Sequence, residues 1–232
     1  MNTYKIGNNS KITANHIDIH ESVEIGDNVQ ILVDDFSIGD YCKIHHHSNF
    51  HGYRPLSIGH NAWIGQGTII DCIGGVEIGN NCGIGAYSQL WSHIRYGDPL
   101  IGCNYNNHSE LKIGNDVWFV GHCIVSPIIA HDRSMALVGS VITSEMKKGH
   151  IYAGTPAKDL TDKIKPQFTE IDIRKKREVM SAFTLPNSIQ LIENDNEIKN
   201  KNISYFNIIN RTYTKRNTTL EIKFMKELQN SL

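Results

Sequence analysis

An apolar residue recurs every six positions through the first two-thirds of the chain. Many of these residues precede a Gly, as in IGDNV, IGDYC, IGHNA, IGNNC and IGNDV. A period of six matches neither an α-helix nor an alternating β-strand, and it predicts a chain that turns a corner every six residues. The pattern runs in triplets: Ile19, Ile25, Ile31; Ile38, Ile44, Phe50; Ile58, Ile64, Ile70; Ile78, Ile84, Leu90; and Ile113, Phe119, Val125.

This repeat predicts a solenoid. Three turns make one triangular coil of about eighteen residues, and coils must stack because one coil cannot bury its own inner face. Gly after the apolar position is expected to relieve the corner through backbone angles that other residues avoid. The Asn and Asp residues that follow tolerate left-handed conformations. A β-sandwich is the alternative, but its strands alternate with a period of two.

Two interruptions mark where the chain leaves the regular coil. The step from Phe50 to Ile58 is two residues longer than the period of six. A long segment, WSHIRYGDPLIGCNYNNHSELK, fills residues 91–112. Such a segment must form a loop, and loops on rigid scaffolds often carry function. The last coil reads HDRSMA, LVGSVI, TSEMKK, which places His131 where an apolar corner residue is expected.

The chain changes character near Pro156. Residues 1–160 form the predicted solenoid domain, and residues 161–232 form a small α+β appendage. Its segments predict a helix in PQFTEIDIRKKREVMSAF, strands in SIQLIE and ISYFNIINRTYT, and a final helix in TTLEIKFMKELQNSL. From Lys163 onward, the chain has 13 Lys and Arg residues but only 8 Asp and Glu residues. A solvated face explains such basic runs most simply; binding an anionic acceptor or a neighbouring subunit is the alternative.

Composition restricts the classes of function. The 232 residues suffice for one large or two small domains, and a formal net charge of −1 gives no sign of nucleic-acid or membrane binding by the whole protein. We expect a cytoplasmic protein, because neither a membrane-spanning run nor a signal-peptide pattern is evident. The five Cys form no CxxC pair. Cys42, Cys82 and Cys123 fall at small-residue positions, where we expect buried free thiols.

The stacked IGxNxx repeats of residues 1–160 resemble the left-handed β-helix acyltransferases. LWSHIRYGD is similar to the TGSH-type segment of sugar and polysaccharide O-acetyltransferases, and NDVWFVGHCIVSP to their VWIG coil. LVGSVITSEMKKGHIYAGTPAKDL resembles their closing GAGSVVTKDIP and AGNPAK segments. The resemblance implies a left-handed parallel β-helix, acetyl-CoA as acyl donor, and a homotrimer with the donor in clefts between subunits. One departure is Val120, which replaces the Gly of WIG and implies a narrower or shifted groove.

Acetyl transfer to a hydroxyl or amine needs a base, because the acceptor loses a proton as it attacks the thioester. His93 is the candidate, since it follows the corner residue Leu90 by three positions and falls in the TGSH-like segment. No covalent intermediate is required, and a backbone N–H can stabilise the oxyanion. Asp71 is a candidate acceptor contact or a carboxylate that orients His93. His108, in the loop, is a second candidate acceptor contact.

The resemblance also supplies a donor site. It implies that Trp118 lines the CoA groove and that Lys158 in the AGTPAK turn meets a phosphate as a point charge. A surface aromatic residue and a simple capping turn are the respective alternatives. The full set of expected donor residues is Trp118, Gly121, Gly139, Ser140, Thr143, Ala157 and Lys158.

The run His45 to His47, with His51 close behind, raises the question of a metal. Carbonic anhydrases of this fold hold zinc with three His, but their ligand spacing in later coils is not found here, so no metal is expected. The leading hypothesis is an acetyl-CoA-dependent O-acetyltransferase acting on a sugar hydroxyl of a surface polysaccharide or its precursor. The alternatives are an N-acetyltransferase of a nucleotide-linked amino sugar and a non-catalytic β-helix scaffold subunit.

Overall fold

The computed structural model describes residues 4–104, 106–107 and 109–230. The chain forms two compact units, Met1–Phe168 and Thr169–Leu232. Their boundary falls eight residues after the one predicted from the sequence. Within the described part of the chain, neither helix has the length and apolar character needed to cross a lipid bilayer.

The first unit is a parallel β-solenoid whose short strands form three faces. The first face contains Lys5–Ile6, Glu24–Ile25, Lys43–Ile44, Trp63–Ile64, Gly83–Ile84, Trp118–Phe119, Met135–Ala136 and Ile151–Gly154. The second contains Lys11–Thr13, Gln30–Leu32, Asn49–His51, Ile69–Asp71, Gln89–Leu90, Ile124–Val125 and Val141–Ile142. The third contains His16–Ile19, Asp35–Ile38, Leu56–Ile58, Val76–Ile78, Leu111–Ile113 and Ile129–Ala130. The predicted β-helix is thereby confirmed.

The apolar residues of the repeat stack in register inside the solenoid. Ile25 pairs with Ile44, Ile44 with Ile64, and Ile64 with Ile84. All four are buried, as the period of six predicts. Burying an aliphatic side chain of this size stabilises a fold by roughly 1.5–3 kcal/mol, so the stacked interior is the main source of stability for each coil.

The glycines at the corners serve a different purpose from the one expected. Gly59 does not adopt a left-handed conformation. A Cβ there would lie only 2.7 Å from the carbonyl carbon of Gly79 in the next coil. The left-handed residues are instead Asn61 and Asn81, both with φ of 56°. Gly is therefore required by the close approach of successive coils, and Asn supplies the turn.

The last coil is shifted by one residue from the expected frame. Its buried residues are Ala130, Ala136 and Ile142. His131 therefore does not occupy a corner position; its side chain is exposed, and its Nε2 lies 2.7 Å from Oε1 of Glu145. The step from Val125 to Ala130 is shorter than six residues, which moves the frame.

The inserted segment leaves the solenoid after Gln89–Leu90 and returns at Leu111–Ile113. It contains an antiparallel pair, Ile94–Arg95 with Asn106–Asn107, and a 3-10 turn at Pro99–Ile101. The solenoid ends in an antiparallel hairpin formed by Ile151–Gly154 and Ala157–Asp159, followed by a 3-10 turn at Thr161–Lys163.

The second unit has the α+β composition that its sequence predicts. Helix α1 spans Ile173–Ser181 and helix α2 spans Thr219–Asn230. The carboxylate of Asp172 caps α1 by accepting from the backbone N–H of Lys175. A small core forms around Ile189, Phe206 and Phe224. The remaining elements are the strands Ile189–Ile192, Ser204–Asn207 and Thr212–Tyr213 and a 3-10 turn at Asp195–Glu197.

The cysteines of the repeat are buried free thiols, as expected. Cys42, Cys82 and Cys123 all lie inside the solenoid. Burial raises the pKa of Cys42 to about 12 and that of Cys82 to about 12. The thiols of Cys42 and Cys82 therefore stay protonated near neutral pH and are poor nucleophiles.

Candidate functional site

An Asp–His pair lies where the inserted segment leaves the solenoid. Asp71 ends the second-face strand Ile69–Asp71, and His93 follows the equivalent strand of the next coil, Gln89–Leu90. Nδ1 of His93 lies 2.7 Å from Oδ1 of Asp71. The Asp71 side chain is completely buried, whereas the His93 side chain keeps 22% of its exposure. The pair therefore joins a rigid, buried carboxylate to an imidazole that solvent can reach.

A second layer of hydrogen bonds fixes the carboxylate. The hydroxyl of Ser92 donates to Oδ1 of Asp71 at 3.0 Å, and the Ser92 backbone N–H donates to the same atom at 3.3 Å. The N–H of Gly74 donates to Ser92 Oγ at 2.8 Å. A Cβ on Gly74 would lie 2.2 Å from the Ser92 carbonyl oxygen, so only Gly fits at this contact. The sequence offered no signal for Ser92 beyond its position before His93.

The geometry determines which nitrogen of His93 can act as a base. A carboxylate only accepts hydrogen bonds, so Nδ1 of His93 carries the hydrogen that it shares with Asp71. In the neutral ring the lone pair is then on Nε2. When Nε2 takes a proton, the buried carboxylate stabilises the imidazolium that forms. This arrangement is suited to removing a proton from a hydroxyl or an amine.

His51 is a third member of this group, and the sequence-based site did not include it. It lies one coil before Asp71 and directly in register with it. Its Nε2 is 3.8 Å from Oδ2 of Asp71, and that oxygen is buried and makes no hydrogen bond with any described residue. The repeat itself was the available signal, because His51 and Asp71 occupy equivalent positions in successive coils.

Two depressions adjoin this part of the solenoid. One, of about 470 Å³, is formed around the Gly74–Gly75 corner and includes the charged side chains of Arg54, Glu77 and Glu110. The other, of about 570 Å³, runs along the second face from Lys11 to His51. The lining of the first is more polar than apolar and suits a hydrophilic ligand, whereas the second also exposes apolar side chains such as Leu32.

The expected donor residues occupy the coils after the inserted segment. Trp118 is in the first-face strand Trp118–Phe119 and is 42% exposed. Gly121 and Gly139 stack on each other, since the N–H of Gly139 donates to the Gly121 carbonyl at 2.9 Å. Gly121 has a φ of 150° and Gly139 a φ of 71°, values that favour Gly at both positions. Thr143 is exposed.

Ser140 forms a hydrogen bond within the solenoid. Its side chain is buried, and its hydroxyl donates to the Leu137 carbonyl oxygen at 2.6 Å. Its hydroxyl is therefore already used within the solenoid, and its contact with the donor stays a prediction. In the closing hairpin, Lys158 is exposed and Ala157 packs partly against the solenoid core.

The histidine run does not converge on one point. His45 packs against Trp63 with ring centroids 4.8 Å apart, and partial burial lowers the pKa of His45. His46 accepts a hydrogen bond on Nδ1 from the backbone N–H of Asp27. His47 turns a corner with a φ of 61°. His108, the other expected acceptor contact, lies outside the described residues.

Comparison with known proteins gives matches over part of the chain. No protein-family model matches. The Bifunctional protein GlmU of Clostridium beijerinckii is 28% identical over 169 residues, covering 63% of this chain and 33% of that protein. The chain thus spans about a third of the length of this curated relative.

Similar solved structures include a maltose O-acetyltransferase from Clostridium difficile 630, with 18% identity, a TM-score of 0.42, and coverage of 66% of this chain and 69% of that one. The polySia-specific acetyltransferase NeuO has 16% identity, a TM-score of 0.44, and coverage of 77% of this chain and 91% of that one. AntD, an N-acyltransferase from Bacillus cereus in complex with dTDP and 3-hydroxybutyryl-CoA, has 18% identity and a TM-score of 0.41. The match covers 76% of this chain and 89% of that one. By its own repeat and stacked coils, this chain is a hexapeptide-repeat β-helix protein.

Proposed function

We propose that this protein is an acetyl-CoA-dependent O-acetyltransferase acting on a sugar hydroxyl of a surface polysaccharide or its precursor. The observation that carries the proposal is the Asp71–His93 pair, with 2.7 Å between its heavy atoms, at the start of the inserted segment. The similarity of LWSHIRYGD and the closing AGTPAK segment to O-acetyltransferase motifs supports the same activity.

The proposed reaction is a direct transfer. Nε2 of His93 takes the proton of the acceptor hydroxyl while its oxygen forms a bond to the acetyl carbonyl carbon. The tetrahedral intermediate then collapses, the carbon–sulfur bond breaks, and the CoA sulfur leaves with the electron pair. The imidazolium returns its proton to that sulfur, so His93 ends neutral and free CoA is released. Asp71 acts through His93 by holding the ring and stabilising its charged form.

The donor is proposed to lie along the coils after the inserted segment. Trp118 offers an exposed ring to the pantetheine or the adenine. Around Gly139 a ligand can pass close to the backbone, because even a Cβ there would have no neighbour within 4 Å. Lys158, which is exposed in the closing hairpin, is the proposed contact for a phosphate. On the resemblance to the left-handed β-helix acyltransferases, we propose a homotrimer in which the donor is bound between neighbouring subunits.

The acceptor is proposed to occupy the depression at the Gly74–Gly75 corner. Its volume of about 470 Å³ is within the range of small-molecule sites. The carboxylates of Glu77 and Glu110 accept hydrogen bonds from sugar hydroxyls, and Arg54 donates to ring or carboxylate oxygens. Gly74 connects this pocket to the Asp71–His93 pair, because its N–H donates to the Ser92 hydroxyl oxygen and that hydroxyl donates to Asp71.

A thiol-release assay tests the proposal. The protein is incubated with acetyl-CoA and a panel of mono- and oligosaccharides, and free CoA is measured with a thiol reagent. His93→Ala should lower turnover by about 10²- to 10⁴-fold, the usual effect of losing a general base. His16→Ala is the matched control. Nδ1 of His16 also lies 2.7 Å from a carboxylate oxygen of Asp35, but this pair is exposed and lies several coils before His93.

The outcomes separate the competing functions. The proposal is supported if sugars without an amino group are acetylated and this activity is lost in His93→Ala. Release of CoA only with amino sugars, with a product stable to mild base, assigns the protein to N-acetyl transfer. If acetyl-CoA shows no binding by calorimetry and no sugar releases CoA, the protein is a scaffold and the proposal is wrong.

A further inference from the structure

Three side chains from successive coils converge at one corner of the solenoid, away from the Asp71–His93 pair. His20, Asp40 and His60 each follow a third-face strand, and the strands are in register through Ile19, Ile38 and Ile58. One ligand atom from each of the three lies within 4.8 Å of the others. We propose that this cluster is a binding site for one divalent transition-metal ion, with zinc as the best match.

The spacing suits coordination. Nδ1 of His60 is 3.2 Å from Oδ2 of Asp40, and Nδ1 of His20 is 3.7 Å from Oδ1 of Asp40. Zinc binds imidazole nitrogen and carboxylate oxygen at about 2.0–2.2 Å, so tetrahedral ligands stand roughly 3.3–3.5 Å apart. The two observed distances, one to each carboxylate oxygen of Asp40, bracket this value. The three ligand atoms lie within 4.8 Å of one another, so the side chains must draw together around an ion.

The hydrogen bonds around the cluster direct lone pairs toward its centre. Nε2 of His20 lies 3.0 Å from Oδ2 of Asp18, so Nε2 carries the hydrogen and the neutral ring presents its Nδ1 lone pair to Asp40. A carboxylate behind the distal nitrogen is the usual support of a metal-binding His. The backbone N–H of Asp40 donates to Nδ1 of His60, so this nitrogen carries no hydrogen, and an entering ion must take its lone pair from that amide.

Burial and ligand chemistry narrow the choice of ion. The Asp40 side chain is 1% exposed, whereas those of His20 and His60 are 34% and 49% exposed. The carboxylate is therefore held in place, and the ion can reach the site from solvent. Two nitrogens and one oxygen favour Zn²⁺ over Mg²⁺ or Ca²⁺, which prefer oxygen ligands. Water can take the fourth position.

The site would fasten three coils together. Each coil is otherwise linked to the next by backbone ladders and by corner side chains, as where Oδ1 of Asn80 accepts from the His60 N–H. A bound ion adds a bond across two coil boundaries at once. Binding exchanges the hydrogen bond on His60 Nδ1 for a coordination bond, so the amide of Asp40 changes its environment.

The test uses the full chain, stripped with a chelator, and zinc chloride alone. Calorimetry should show one site per chain, and zinc should raise the melting temperature. His60→Asn keeps an acceptor at this corner, as Asn80 does in the next coil. It should weaken zinc binding by on the order of 100-fold, with His20→Ala giving a similar loss. Cobalt substitution should give visible absorption typical of a four-coordinate site in the unaltered chain only.

His46→Asn is the matched control. Nδ1 of His46 accepts from the backbone N–H of Asp27 at 2.8 Å and lies 3.5 Å from its Oδ2, but no third ligand joins this pair among the described residues. Unchanged zinc affinity in this variant, with loss in the other two, establishes the site. The proposal is overturned if the unaltered chain binds no zinc at micromolar concentration, or if His46→Asn loses as much affinity as His60→Asn.

Discussion

Replacing Asp71 by Asn tests whether the buried carboxylate works through His93. The substitution keeps the shape of the side chain, and an amide oxygen in place of Oδ1 can still accept from the Ser92 hydroxyl and N–H. Oδ2 makes no hydrogen bond with a described residue, so the amide nitrogen displaces no partner there. The fold should therefore survive, with a loss of stability of about 1–3 kcal/mol at most, because the buried amide N–H₂ in place of Oδ2 meets no acceptor among the described residues.

The size of the effect follows from the one contact that changes. The hydrogen bond from His93 Nδ1 goes from a charged acceptor to a neutral one, a loss of roughly 1–1.5 kcal/mol, or about tenfold in rate. If the amide turns its nitrogen toward the ring, it fixes the wrong tautomer of His93. In the catalytic triad of serine proteases, the equivalent change from Asp to Asn costs about 10⁴-fold. We therefore expect turnover to fall by about 10- to 10⁴-fold.

The assay is CoA release at saturating donor, compared across Asp71→Asn, His93→Ala and the double variant. Because Asp71 acts through His93, the double variant should be no slower than His93→Ala alone. Donor affinity should not change in any of them. Ser92→Ala keeps the charge and should slow the reaction only a few-fold. Full activity in Asp71→Asn, or additive losses in the double variant, would refute the positioning role.

Three further outcomes are expected. Trp118→Ala should weaken acetyl-CoA binding in calorimetry without changing the β-rich circular dichroism spectrum; unchanged affinity would remove this ring from the donor site. Ile64→Ala, at a fully buried stacking position, should lower the free energy of unfolding by about 2–5 kcal/mol in urea titrations, and a loss near zero would contradict the stacked core. Hydrogen bonds from Thr161 and then His150 hold the pKa of Asp159 at about 2, below its ordinary 3.8. Its contribution to stability is therefore present above pH 4 and disappears as the pH falls toward 2; Asp159→Asn should flatten this part of the acid unfolding curve, and an unchanged curve would exclude the contribution.

The solenoid was predictable because its information is local and periodic. A residue such as Ile44 needs only its position in the repeat to be assigned to the interior, and its partners Ile25 and Ile64 follow from the same period. The corners were predicted for the wrong reason. Sequence propensity associates Gly with unusual φ angles, whereas Gly59 is required by the next coil lying too close for a Cβ. That distance belongs to packing and is not encoded in any single hexapeptide.

The site was only half accessible to sequence reasoning. His93 was predicted from its motif and its place after the last corner, and Asp71 was named as a contact of either the acceptor or His93. The sequence could not choose between these two roles, because the Asp71–His93 contact joins residues on two coils. His51 and the cluster around Asp40 were missed for a related reason. Periodicity was applied to apolar residues only, although polar residues one coil apart are equally in register.

The position of the Asp71–His93 pair meets two demands that the proposed role of His93 as a general base would make. Asp71 must be immobile to hold the ring, and it is, because it ends a strand paired on both sides and is fully buried. His93 must reach a substrate, and it can, because it lies just beyond the last ladder of its coil, where the inserted segment begins. A base within the strand would be confined to the sheet surface, and one deeper in the loop would lose the carboxylate. The break in the repeat is therefore what creates the site: the rigid coil supplies the charge, and the departing chain supplies the imidazole.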